Sequence, residues 1–235
     1  MERKRIIYCP LAVLGLITII SFFIIVSLPG CIPNAGTSET ADDIFLPLLR
    51  VIPSNEDTLK SAYIQDLTRM NEQWQKYPHT EKQYAIGRGQ HLSGYGSYYD
   101  TGEWKNTLGF VREDVESSVK NGSRTSFNSY QAVYIDVDRQ TVEDAVKSGP
   151  LNDILQIIDY QGTNIYAWGE DNKINLSRSS NVRPLGIGGR LAYVDGFVFW
   201  TSCTDCIEKM IDSYYDRVDS LADSEDYQTL AQKLS

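Results

Sequence analysis

The chain has 235 residues, a formal net charge of −9 and tyrosine at 15 positions. Acidity on this scale repels phosphate backbones, so no nucleic-acid partner is expected. Its aromatic, glycine-punctuated composition excludes a wholly disordered chain, and its four cysteines are too few for a disulfide scaffold, so a hydrophobic core must supply the stability.

Near its start the chain carries Arg3, Lys4 and Arg5, followed by an uncharged apolar run over residues 6–28. As a helix that run is roughly 34 Å long, enough to cross a bilayer core of about 30 Å. It is longer than the usual apolar core of a signal peptide, about 7–15 residues. Leu28-Pro29-Gly30-Cys31 resembles the bacterial lipobox, with Leu28 and Gly30 in the matching places and Pro29 where Ala or Ser is usual. That resemblance implies cleavage before Cys31 and lipidation of its thiol; the alternative is an uncleaved transmembrane anchor. Both readings keep the basic end in the cytoplasm and send the remainder across. The expectation is a protein of the cell membrane with its folded domain on the extracytoplasmic face, in contact with membrane lipid through the N-terminal anchor. Without residues 1–31, 19 basic and 30 acidic residues remain, a net −11.

Residues 32–43 carry Pro33, Gly36, Thr37, Ser38 and Thr40 with no period, and predict a flexible tether. The folded domain is placed at 44–235, beginning with an apolar entry segment over 46–53. Leu59, Ala62, Tyr63, Leu67, Met70 and Trp74 recur at three- and four-residue steps behind a box-like Ser54 and Asp57. That spacing predicts an amphipathic helix over 55–75, ended by Pro78. Residues 79–109 interleave glycines with aromatic side chains. Tyr95, Tyr98, Tyr99 and Trp104 form the candidate aromatic ligand surface there, against the plainer reading of turns packed over a core.

From Phe110, Val111, Val115 and Val119 stand four apart and predict another helix, stopped at Asn121-Gly122. Residues 130–136 are rich in β formers and predict a strand. A short helix is expected over 138–148, then two strands over 155–160 and 164–168. A polar loop over 169–189 leads to strands 190–194 and 197–201 around Asp195-Gly196, a two-residue hairpin signal. Ile207, Met210, Ile211 and Tyr214 mark a helix over 204–217, and a last helix carries Tyr227, Leu230 and Leu234. This order predicts an α+β fold, an antiparallel-dominated sheet with helices packed on one face.

The strand and helix beginning at Val133, the run from Ile165 to Asp171, the hairpin around Asp195-Gly196 and Ser220-Leu221-Ala222-Asp223 with Tyr227 resemble uncharacterised bacterial secreted or lipid-anchored envelope proteins. The resemblance spans roughly residues 45–235. It implies an envelope location and a compact α+β fold, with no particular activity, protein partner or small-molecule partner attached.

No catalytic set, cofactor site or metal site is expected. His79 and His91 stand apart, and the serines near His91 lack a nucleophile elbow. Asp171-Asn172-Lys173-Ile174-Asn175 lacks the turn glycine and closing glutamate of a calcium loop. Asp136 and Asp138 fit a strand end and a helix cap better than an acid–base pair. The one sharp chemical feature is Cys203-Thr204-Asp205-Cys206, between an expected strand and an expected helix. It resembles the thioredoxin active-site context, where a helix N-terminus stabilises the first thiolate. A thioredoxin continues with further strands and a facing proline, and 29 residues follow Cys206. Cys203 and Cys206 are a candidate disulfide or redox pair; a structural disulfide or two plain thiols at a helix start is preferred over the redox reading, and an intramolecular disulfide is expected. The two functional expectations are a binding or structural envelope module and a tethered thiol oxidoreductase.

Overall fold

Among the described residues seven strands alternate apolar side chains between two faces, and this alternation decides which face each helix packed on the sheet covers. The structure is a computed structural model that describes residues 41–60, 62–69, 72, 102–121, 129–180 and 183–234. All of them belong to one unit, Glu39–Ser235. The anchor, Cys31 and most of the tether lie outside the described residues. No helix among the described residues is long and apolar enough to cross a membrane.

The strands are β1 (Ala62–Asp66), β2 (Val115–Asn121), β3 (Tyr130–Ile135), β4 (Leu155–Tyr160), β5 (Thr163–Trp168), β6 (Gly189–Val194) and β7 (Phe197–Thr201). They form one sheet in the order β1-β2-β3-β7-β6-β5-β4, antiparallel at every pairing. The helices are α1 (Ala41–Arg50), α2 (Gly102–Leu108), α3 (Arg139–Ser148), α4 (Thr204–Tyr214) and α5 (Glu225–Leu234). The fold is α+β.

The helices do not share one face. Adjacent residues on each central strand enter different cores: Ala132, Ile165, Ala192 and Phe199 join Leu48, Leu49, Ile207, Met210 and Ile211, whereas Val133, Tyr166, Leu191 and Val198 join Leu108, Val142 and Val146. Strand side chains alternate with period two. A sheet apolar on both faces has to be covered on both, by α1 and α4 on one side and by α2 and α3 on the other. The near-continuous apolar run of β7, Phe197-Val198-Phe199-Trp200, carries that requirement in the sequence.

Three N-terminal expectations are corrected. The end of the expected tether, from Ala41 to Asp43, is the first turn of α1. The helix expected over 55–75 is broken: a 3-10 turn, Thr58–Lys60, leads into β1, and among the described residues helical backbone follows at 67–69 and 72, where Leu67 of the expected stripe is buried. Asn55 Oδ1 caps that turn, accepting from the Asp57 amide at 3.0 Å and the Thr58 amide at 3.1 Å. A longer helix would need the Thr58 carbonyl for the amide four residues on. Asn121 Nδ2 donates to that carbonyl instead, at 2.7 Å, and Ala62 pairs with Asn121 in the sheet. Leu59 and Tyr63 of the supposed stripe stay exposed.

The helix expected from Phe110 is a 3-10 turn, Arg112–Asp114, and then β2. Residues four apart share a face in a strand as well as in a helix, so the valine spacing does not distinguish them. The register of β2 against β3 shifts between Val115 and Ser117. A bulge of this kind changes the parity of the strand, and Val115 consequently enters one core while Val119 enters the other.

The C-terminal elements follow the expected order closely. Gln161-Gly162 and Asp195-Gly196 turn with φ of 52° and 86°, and of 47° and 88°. Both are two-residue loops with positive φ at each position, as the right-handed twist of the flanking strands favours. Asp138 is the N-cap of α3, its Oδ1 accepting from the Thr141 amide at 2.9 Å.

Candidate functional site

β7 ends at Thr201 and α4 begins at Thr204, so Ser202 and Cys203 make the whole connection. Cys203 is extended and caps α4, its sulfur accepting from the Cys206 amide at 3.2 Å. Cys203 and Cys206 are joined in a disulfide with their Cα atoms 5.3 Å apart. The first turn of the helix brings residues three apart onto one face, which makes this short bridge possible. Both half-cystines are at most 8 % exposed and pack in the same core as Ile207, Met210 and Ile211.

A second cap comes from the polar loop. The Asp171 carboxylate accepts from the Thr204 amide at 2.9 Å and from Thr204 Oγ1 at 3.0 Å. Arg190, buried near the start of β6, pairs through Nη2 with Asp171. Its Nε donates to Thr204 Oγ1 at 2.9 Å, and its Nη1 to the Gly189 carbonyl at 2.9 Å and the Trp168 carbonyl at 3.3 Å. Ser202 Oγ donates to Asn172 Oδ1 at 2.7 Å, and the Asn172 amide to the Ser202 carbonyl at 3.0 Å. The junction is thereby tied to the ends of β5, β6 and β7 at once.

Several carboxylates gather along the first turns of α4. Burial pushes the Glu208 carboxyl above its ordinary value, with Asp205, Asp212 and Asp171 adding to the rise. The nearby cation, Arg190, has its guanidinium lowered by burial, opposed by Asp171, to which it is committed. A low thiolate pKa needs an electropositive, partly exposed setting. This junction offers a helix N-terminus, but with acidic side chains around it and the sulfurs buried.

The other candidates read from the sequence fall largely outside the described residues. His79, His91, Tyr95, Tyr98 and Tyr99 lie outside the described residues; Trp104 contributes its backbone to α2, and its side chain lies outside them too. No group of three or more metal-ligating side chains occurs among the described residues. In the calcium-like segment the Asp171 carboxylate is already taken by Arg190 and Thr204. The grouping of Asp171, Arg190 and Thr204 has no motif to announce it. One signal is present: Arg190 is the charge in the otherwise uncharged strand Gly189–Val194, and a charge in such a strand requires a partner.

No family model matches the chain, and neither a curated protein nor a solved structure matches it.

Proposed function

We propose that this chain is a membrane-tethered, extracytoplasmic module of the cell envelope, with a binding or structural role, in which Cys203–Cys206 is a staple and not an exchange catalyst. The supporting observation is a disulfide between two buried cysteines, in a domain that follows a basic, then charge-free apolar segment. Such bonds persist on the oxidising side of a membrane. The lipobox-like tetrad ending in Cys31 gives the tether its chemistry, and the acidic surroundings of the disulfide argue against thiol exchange.

Protease added to spheroplasts expressing the full chain should digest the domain, and a protected domain would overturn the topology. Alkylation of the denatured, unreduced protein should label neither Cys203 nor Cys206; two labelled thiols would overturn the staple. Mass spectrometry of the mature protein separates a lipidated Cys31 from an intact Met1 end. Thiol-exchange activity lost on Cys203→Ser would replace the staple by the oxidoreductase reading.

A further inference from the structure

The loop between β5 and β6 holds a buried charge that the junction does not use. Arg183 is 5 % exposed. Its backbone exchanges hydrogen bonds with Ser180 at 3.1 and 3.2 Å, and its Nε donates to the Ile187 carbonyl at 2.9 Å. The guanidinium lies so close to Gly169 that a Cβ there would collide with Nη2. Lys173 pairs with Glu170, Arg178 with Asp153 at 3.2 Å, and Arg190 with Asp171. Among the described residues no carboxylate pairs with Arg183. Burial pulls its guanidinium below the ordinary value, and Arg178 adds to that, against a weaker pull from Asp153.

A buried charge without a counter-ion is costly. Two other buried polar atoms near the ends of β5 and β7 also lack a partner, on opposite faces of the sheet. Trp168 Nε1, on the residue preceding Gly169, is buried with no hydrogen-bond partner, and so is Thr201 Oγ1 at the same end of the sheet. An indole N–H and a guanidinium only donate. The same loop exposes Ile174, Leu176 and Leu185. The Asn175 amide donates to the Leu185 carbonyl at 3.1 Å, which ties the backbone around Ile174 and Leu176 to that of Leu185. Leu185 holds φ at +56°, a conformation a leucine rarely adopts.

We propose that Arg183 holds the carboxylate or phosphate of a small organic anion, with Ile174, Leu176 and Leu185, on the described residues of the same connection, bordering its apolar body. The planar guanidinium suits either oxyanion through paired N–H donors.

The test is titration of the full-length protein in detergent with inorganic phosphate, acetate and butyrate at constant ionic strength, read by tryptophan fluorescence and Tm. A saturable response is expected, weakened about tenfold or more in Arg183→Gln, since a hydrogen bond to a charged group is worth about 1.5–3 kcal/mol. Butyrate ahead of acetate supports a carboxylate with an apolar body; phosphate ahead of both supports a phosphate head. No saturable response to any of the three, or one that Arg183→Gln retains, overturns the proposal. If Arg183→Gln fails to fold, Arg183→Lys takes its place, and an affinity unchanged in that variant overturns the proposal equally.

Discussion

The molecule solves one local problem twice. β3 hands over to α3, and β7 hands over to α4, in each case through a short connection whose last residue caps the helix by accepting from the amide three residues on. At α3 the cap is Asp138, exposed, with Thr141 Oγ1 also donating to it at 2.7 Å. At α4 the cap is a sulfur, locked by a disulfide and reinforced by Asp171 and the buried Arg190. A single exposed carboxylate satisfies a helix start. The additional bonds at α4 serve another purpose: they join the helix to the polar loop and to three strand ends.

The comparison can be broken most directly at Asp171. Asp171→Ala leaves Arg190 buried without its carboxylate, and a loss of about 3 kcal/mol is expected in denaturant unfolding. A loss no larger than that of Asp138→Ala would show the two junctions to be equivalent. Next in size is the disulfide. The ring is far smaller than a 15-residue loop, for which roughly 3 kcal/mol is expected, so Cys203→Ala with Cys206→Ala should cost about 1–2 kcal/mol. The melting temperature of the double variant against the oxidised wild type checks this, and a larger fall would make the bridge the principal tie.

The smallest effect is expected at Asp138, and it should depend on pH. The Thr141 hydroxyl, then the Thr141 amide, hold the Asp138 carboxyl below its ordinary 3.8. A carboxyl depressed on folding stabilises the fold above its unfolded pKa and loses that contribution as pH falls through the folded one. Asp138→Ala should therefore lower Tm by about two degrees near neutrality. The gap to wild type should close as pH falls below the ordinary carboxylate range. A gap that stays constant into acid would assign the effect to backbone propensity.

What the sequence discloses divides along the same line. Asp138 with its following helix, both positive-φ hairpins and the stripe of α4 are legible, because each is settled by residues within a few positions of one another. β1 and β2 are not. Ala62 becomes a strand residue through Asn121, and the Thr58 carbonyl is diverted by the same side chain. Val115 and Val119 part company at a bulge that four-residue spacing cannot reveal. Arg190 is visible as a misplaced charge, but its partner Asp171 lies across the sheet end, where local patterns carry no information. Cys203 and Cys206 are visible as a pair, yet their burial depends on α4 lying on the core that contains Ala192 and Phe199.

The strand order also bears on how the chain finds its native state. β4, β5, β6 and β7 are neighbours in the order they are synthesised, and so are β1, β2 and β3. One ladder joins the two groups, from Gln131 opposite Trp200 to Tyr134 opposite Phe197. All of α3, β4, β5 and β6 lies between its two strands in the chain. Closing it demands the longest search within the C-terminal part of the molecule, and contacts of large sequence separation are the slow ones to form. The C-terminal meander can assemble as a unit beforehand, with the β3–β7 ladder as the step that commits the N-terminal strands to it.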